Sequence, residues 1–205
     1  MSNRDIWEQI LQDPVWMLEL YAAGAFPMAP EKDSDIVQWF SPEERAVIPV
    51  NGYNIPRSVK KLLKENTFEI RFDTDSEEVI RQCAAREKTW ISEKLIAAYK
   101  RIMNLGFLHS VEAYREGELA GGLYGISIGK AFFGESMFSQ IPGASKAALA
   151  SLLMHLRNRR YIILDVQYMT EHLAMFGAKV ISMDEYSTLL KAAISEETEM
   201  HLFQE

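Results

Sequence analysis

A chain of 205 residues, 48% of them hydrophobic, can bury a substantial core, and it nowhere reaches the roughly 18 uninterrupted apolar residues of a membrane span. Its formal charge of −7 at pH 7 argues against wide coverage of a nucleic-acid duplex, because such surfaces are basic and release counterions from phosphates. One cysteine, Cys83, excludes an internal disulfide and a thiolate zinc cage, and the opening Met1-Ser2-Asn3-Arg4-Asp5 lacks the basic-then-apolar layout of a signal peptide, so a cytoplasmic chain is expected.

From Pro14 through Trp16, Met17, Leu18 and Leu20 to Ala23 the spacing is helical, and Gly24 with Phe26-Pro27 closes it. Turn formers are dense from Pro30 to Pro56, around Trp39-Phe40-Ser41-Pro42 and a short β-like run, Ala46-Val47-Ile48. Pro56 can start a helix that runs to about Glu65, with Arg57, Lys60, Lys61 and Lys64 outward and Val59, Leu62 and Leu63 inward. These features predict a small, irregular N-terminal α/β domain over residues 1–66.

From Phe68 the pattern changes. Phe68, Ile70 and Phe72 alternate with charged residues as a half-buried strand, and Asp75-Ser76 offers a cap for a helix from Glu77 to Ala85, in which Cys83 is a small buried thiol. A helix from Ser92 to Met103 ends at Gly106, and strands from His109 to Tyr114 and from Leu119 to Ile126 flank the turn Glu116-Gly117 as a hairpin. Ala131 to Phe138 is the next strand. Ser145 to Arg157 is a helix whose Ala148, Leu149, Leu152, Leu153 and Leu156 share a face, and a buried strand at Tyr161 to Val166 precedes a short αβ finish. The order predicts an α+β fold whose larger domain, 67–205, has an acyltransferase-type sheet, mixed and largely antiparallel. Glu196, Glu197, Glu199 and Glu205 form an acidic tail.

Three segments place polar groups where strand burial is costly without a partner. Glu135 stands in an apolar strand beside Gly134, which lets a backbone or ligand approach. Asp165 and Gln167, two apart in a strand, are expected on one face, acting together. Ser139 to Lys146 is a strand-to-helix turn whose free N–H groups can receive an anion or polar ligand. Each has a purely structural alternative: Glu135 paired with a core arginine, Asp165 capping a loop, Ser145 capping its helix.

The segments stand in the order and spacing of a known family. Tyr21-Ala22-Ala23-Gly24-Ala25-Phe26-Pro27-Met28, Trp39-Phe40-Ser41-Pro42 with Arg45-Ala46-Val47, Thr89-Trp90-Ile91, His109-Ser110-Val111-Glu112 and Gly121-Gly122-Leu123-Tyr124-Gly125 come first. Gly134-Glu135-Ser136-Met137-Phe138-Ser139, Ala144-Ser145-Lys146, Asp165-Val166-Gln167 and Thr170-Glu171-His172-Leu173 with Gly177-Ala178 follow. One such run is weak, but so many in register are not a chance match. In these motifs the chain resembles the leucyl/phenylalanyl-tRNA–protein transferase family across nearly its whole length.

The resemblance implies a GNAT-like catalytic domain that binds the aminoacyl-adenosine end of tRNA in place of acetyl-coenzyme A. It implies transfer of Leu, Phe or Met to proteins beginning with Arg or Lys, marking them for degradation as N-degrons. No cofactor or metal is expected, since the donor ester is already activated; the protein is expected to be a monomer. Glu135, Asp165 and Gln167 take the catalytic role, the carboxylates attracting a cationic acceptor and Gln167 accepting a hydrogen bond from its amine while Asp165 holds Gln167 in place. The resemblance puts the donor side chain among Leu123, Phe132, Leu149, Leu152, Leu156 and Leu164. It puts Trp39 and Trp90 near the terminal adenosine, adds Ser139 and Ser145 to the substrate site, and gives the tRNA acceptor stem to Arg57, Lys60, Lys61 and Lys64. His109 and His172 are expected to be structural.

The family commonly has Cys where Val166 stands, Asn or Asp at Gly143 and Arg at Met183, and a longer N-terminal end. Val166, opposite Asp165 and Gln167 by strand alternation, is expected to affect packing alone. Two other readings compete. A non-catalytic binder of protein N-termini or tRNA ends is opposed by the retained Glu135, Asp165 and Gln167. An acetyl-coenzyme A N-acetyltransferase is opposed because Gln140-Ile141-Pro142-Gly143-Ala144-Ser145 carries only half of a glycine-rich pyrophosphate loop.

Overall fold

The computed structural model describes residues 3–195 apart from 33, 35 and 88; the acidic tail expected at Glu196 to Glu205 lies outside the described residues. In chain order the elements are α1 (Asn3–Gln12), α2 (Pro14–Ala22), β1 (Phe26–Met28), β2 (Gln38–Phe40), β3 (Glu44–Pro49), α3 (Arg57–Lys64), β4 (Glu69–Phe72), α4 (Ser76–Ala84) and α5 (Glu93–Asn104). There follow β5 (Leu108–Arg115), β6 (Glu118–Ile128), β7 (Ala131–Ser139), α6 (Ala144–Asn158), β8 (Ile163–Gln167), α7 (Glu171–Ala174), β9 (Lys179–Ser182) and α8 (Met183–Ile194).

Local chemistry accounts for most boundaries. Asp13 caps α2 by accepting the Val15 N–H, with Pro14 at the first helical position, where its missing donor costs nothing. Ser92, Thr170 and Ser182 cap α5, α7 and α8 in the same way. In α3, Val59 is buried, Leu62 and Leu63 are half-buried, and the four basic residues face solvent, as the spacing predicts. The sequence reading does not anticipate α1, the β1–β2 pair or α8. The β1–β2 pair falls in a turn-rich segment without a periodic signal, α1 has Ile6, Trp7, Ile10 and Leu11 at helical spacing that the reading passes over, and α8 runs three turns where only a short finish is expected.

Seven strands form one sheet in the order β4-β5-β6-β7-β8-β3-β9, antiparallel except where β7 meets β8. The expected α+β chain with a mixed, largely antiparallel sheet is what the structure has. The expected boundary after residue 66 does not separate two sheets, because β3 bonds to β8 on one side and β9 on the other.

Apolar side chains pack on both faces. On one face Tyr124, Ile126, Phe133 and Ile163 of the strands pack with Val79 and Ile80 of α4 and Leu95 of α5, in a layer that α2 and α8 complete. The other carries Leu123, Phe132 and Leu164 against Ala148, Leu149, Leu152 and Leu156 of α6. Gly121 lets α6 close on β6: a Cβ there would stand 2.7 Å from the Ala144 Cβ and 3.1 Å from the Ser145 nitrogen.

The sheet is broken where β7 meets β8. Strands β7 and β8 pair only through Ala131–Ile163, Phe132–Leu164 and Phe133–Asp165, although both run on, so they part beyond Phe133 and Asp165. On either side of the gap sits a β-bulge. Register against β6 jumps from Ser136 to Gly134, leaving Glu135 as the extra residue, and register against β3 jumps from Gln167 to Asp165, leaving Val166.

Candidate active site

The gap between β7 and β8 opens into a cavity of about 380 Å³. Residues from both sheet faces line it, Leu123, Leu149, Leu152 and Leu164 from one and Tyr124 from the other, as expected of a hollow that passes between parted strands. Glu135 and Gln167 enter it from the two bulged strands, and Thr170, His172 and Leu173 close it from the β8–α7 segment.

Glu135 is buried, and burial raises its carboxyl to about 7, opposed by hydrogen bonds from Tyr99 and Tyr21 and by Arg45, and assisted by the charge of Asp165. The Tyr99 hydroxyl donates to Oε2 at 2.7 Å, and Tyr21 stands 3.4 Å from the Tyr99 oxygen. Burial and the Glu135 charge raise all three phenols of Tyr21, Tyr99 and Tyr124, so they stay protonated and able to donate. Oε1 of Glu135 has no protein partner, nor has the hydroxyl of Tyr124. A residue of the cavity wall therefore carries a buried carboxylate oxygen without a partner, which suits an amine.

Asp165 occupies a different environment. Arg45 Nε donates to Oδ1 at 2.9 Å and its terminal nitrogen to Oδ2 at 2.7 Å; the Tyr186 hydroxyl donates to Oδ2 at 2.7 Å, and the Gln167 main-chain N–H to Oδ1 at 2.9 Å. Burial disfavours the charge of Arg45, but the hydrogen bonds and charge of Asp165 outweigh it and hold the guanidinium above its ordinary pKa. Asp165 is wholly buried with its oxygens engaged and does not line the cavity. The purely structural alternatives, a core arginine for Glu135 and loop capping for Asp165, are thus realised in mixed form. The arginine belongs to Asp165, which also takes the loop N–H.

Gln167 departs from strand alternation. At φ +58° its backbone is left-handed, so its side chain lines the cavity beside Val166 and Leu164, where an extended strand would send it with Asp165 to the opposite face. Its side-chain nitrogen is buried without a partner. The expectation that Asp165 and Gln167 share a face is corrected in this respect: they are linked through the main chain, and their side chains diverge. Val166, expected to face away from the site, is instead part of its wall.

Of the apolar residues expected around the donor side chain, Leu123, Leu149, Leu152 and Leu164 line the cavity, joined by Met137 and Leu173. Phe132 and Leu156 do not; they are filled into the core of the same face. Ser139 and Ser145 are outside the lining as well, because the Ser139 hydroxyl accepts the Ser145 N–H at 3.3 Å and donates to the Ile141 carbonyl, tying up the start of α6. Gly143 caps that helix at φ +92°, a conformation that glycine tolerates best and Asn or Asp next.

Trp39 packs edge-on against Tyr21 with its indole nitrogen buried and unpartnered. Trp90 lines a separate hollow of about 430 Å³ with Lys32, Arg86 and Thr89. Arg86 connects it to the central cavity by donating to the Ser136 hydroxyl at 2.6 Å. Arg57, Lys60, Lys61 and Lys64 remain apart, on the exposed face of α3, where Lys61 lies 3.8 Å from Glu65. Cys83 is buried, and burial pushes its thiol up to about 12, which removes it as a nucleophile. His109 pairs through Nδ1 with Asp73 at 2.7 Å, away from the cavity, whereas His172 lines it and is held below its ordinary pKa by burial and by Lys146.

Tyr99, Tyr124, Arg45 and Tyr186 are absent from the sequence reading as functional groups. Arg45 and Tyr124 stand inside recognised motifs, which was the available signal; Tyr99 and Tyr186 stand in ordinary amphipathic helices and had none.

Comparison with known proteins bears on the assignment. Residues 47–191 match the family described as leucyl/phenylalanyl-tRNA protein transferase, and residues 13–43 match its N-terminal domain. The leucyl/phenylalanyl-tRNA–protein transferase of Paramagnetospirillum magneticum is 44% identical over 184 residues, 88% of each chain. That of Dinoroseobacter shibae is 41% identical over 187 residues, 91% of this chain and 84% of that protein. Among solved structures, the C-terminal domain of a putative lysylphosphatidylglycerol synthetase from Agrobacterium fabrum is 13% identical at a TM-score of 0.43, covering 88% of this chain and 57% of that one. The chain belongs to the leucyl/phenylalanyl-tRNA–protein transferase family.

Proposed function

We propose that the cavity between β7 and β8 is where an aminoacyl group leaves the 3′ end of a tRNA for the N-terminal amine of a protein. Membership of the family supports the transferase activity itself. The observation that carries the location is one hollow with aliphatic walls, an unmatched Glu135 oxygen and an unmatched Gln167 amide. A non-catalytic binder is not favoured.

The reaction is aminolysis of an ester. The acceptor nitrogen forms a bond to the aminoacyl carbonyl carbon, the bond to the ribose oxygen breaks, and the amine's proton ends on that oxygen or in solvent. No energy source beyond the ester is needed, so the protein's work is to orient amine and carbonyl. The side chains of Leu123, Leu149, Leu152 and Leu164 hold the transferred Leu, Phe or Met, and shape disfavours β-branched donors by about 1–3 kcal/mol. Glu135 takes the positive charge of an incoming ammonium, and Gln167 bonds the reacting amine or the carbonyl beside it. Asp165 acts through Gln167. Trp39 and Trp90 flank the terminal nucleotide, and the basic face of α3 meets the acceptor stem.

We read the sheet as that of a GNAT-type acyltransferase, a reading supported by the parallel pair that parts around the site. A smaller N-terminal unit precedes it. The separate match over 13–43 supports that division, and the place of β3 in the large sheet favours a boundary before residue 44 over the expected one after 66. Acceptors beginning with Arg or Lys, an N-degron role, a cytoplasmic location and a monomeric state complete the proposal. Among the described residues no helix is long and apolar enough to cross a membrane.

Incubation with leucyl-tRNA and a peptide beginning with Arg should add one leucyl residue to the peptide, read by mass spectrometry. Modification with acetyl-coenzyme A and none with leucyl-tRNA would overturn the assignment.

A further inference from the structure

At the end of β8 the protein builds a clamp from three distant parts of the chain. Arg45 comes from β3, Tyr186 from α8 and Asp165 from β8, and all three are wholly buried. The guanidinium lies 4.5 Å from the ring centre of Phe26 and 4.7 Å from that of Tyr186, so the phenol both covers the arginine and bonds the carboxylate. Five short contacts, three from Arg45 and one each from Tyr186 and the Gln167 N–H, use both Asp165 oxygens. The carboxylate has no capacity left for a substrate.

What the clamp holds is a backbone under strain. A side-chain-bearing residue in the left-handed region is disfavoured by roughly 1–2 kcal/mol, and Gln167 sits there at φ +58° with its N–H bonded to Oδ1 of Asp165. Released from that bond, the strand end can return to extended geometry, which carries the Gln167 side chain out of the cavity.

We propose that Tyr186 and Arg45 are positioning residues for aminoacyl transfer, fixing the Asp165 carboxylate so that it holds Gln167 in the conformation that presents its amide to the reacting groups. The inference rests on the transferase reading above. Neither residue touches the cavity, and each acts only through Gln167.

Tyr186→Phe keeps the ring over Arg45 and removes the hydroxyl. With leucyl-tRNA and an Arg-initial peptide, kcat should fall roughly tenfold to hundredfold, the scale of a misplaced reacting group, while KM for leucyl-tRNA stays within about twofold. The decisive measurement is the same substitution in a Gln167→Ala background, where its effect on kcat should vanish, because the group it positions is gone. Arg45→Lys, which retains charge but loses the two-pronged contact, should behave alike and provides a second route should Tyr186→Phe not fold. An unchanged kcat in Tyr186→Phe, or equal falls with and without Gln167, would overturn the proposal. Failure of the underlying reading is a separate result: the unsubstituted protein would then transfer nothing.

Discussion

The Gln167 main-chain N–H donates to the Asp165 carboxylate at 2.9 Å while the two side chains part, one into a buried ion pair and the other into the cavity. Adjacent in motif and linked by one hydrogen bond, the two residues have separable duties, and substitution should separate them.

Asp165→Ala and Gln167→Ala should both lower kcat far more than donor affinity. They should differ in stability. Loss of Asp165 leaves Arg45 charged and enclosed without a counter-ion, which costs about 3–5 kcal/mol, whereas Gln167→Ala removes a side chain whose amide nitrogen has no partner and should cost far less. Chemical denaturation of the two variants checks this, and equal losses would mean that the ion pair is not the anchor.

Glu135 ties stability to pH. Its carboxyl is raised in the folded protein from 4.5 to about 7, so the folded state binds the proton more tightly than the unfolded chain. The resulting stabilisation is fully present below about pH 4.5 and is lost as pH rises through 7. Glu135→Gln, which cannot ionise, should be spared that loss, so its stability relative to the unsubstituted protein should rise by on the order of 3 kcal/mol between pH 4.5 and 8. Transfer should fall in the same variant. A difference in stability that does not change with pH would argue that the carboxyl titrates normally.

The bulge at Glu135 depends on the glycines facing each other across it. A Cβ on Gly125 would overlap the Phe133 carbonyl oxygen and the Phe132 ring, whereas one on Gly134 meets only ordinary contacts at 3.5 Å from the Asp165 main-chain carbonyl oxygen and the Leu164 side chain. Gly125→Ala should destabilise by about 1–3 kcal/mol or more, and Gly134→Ala by much less. Thermal melts of the pair provide the comparison.

The basic face of α3 should matter to tRNA and not to chemistry. Lys60→Glu combined with Lys64→Glu should raise KM for leucyl-tRNA, more so at low salt, and leave kcat and the use of a short aminoacyl-adenosine donor unchanged. Steady-state kinetics at two salt concentrations test it; an equal effect on the short donor would detach this helix from the nucleic acid.

Local grammar determined much of this protein. The amphipathic α3, the hairpin about Glu116-Gly117, the apolar face of α6 and the buried thiol of Cys83 follow from period, turn chemistry and composition, which act over a few residues at a time. The same reading singled out Glu135, Asp165 and Gln167 as polar groups out of place in apolar strands. Which way they point was decided elsewhere. Strand alternation assumes a continuous ladder, and the bulges at Glu135 and Val166 interrupt it where β7 and β8 separate. The partner that neutralises Asp165 lies 120 residues away in sequence, and the Tyr186 donor comes from a helix with no distinguishing local pattern. Burial costs mark a residue that needs a partner; only the folded chain, by bringing β3 and α8 to the end of β8, selects the partner and leaves Glu135 as the carboxylate of the cavity wall with an unpartnered oxygen.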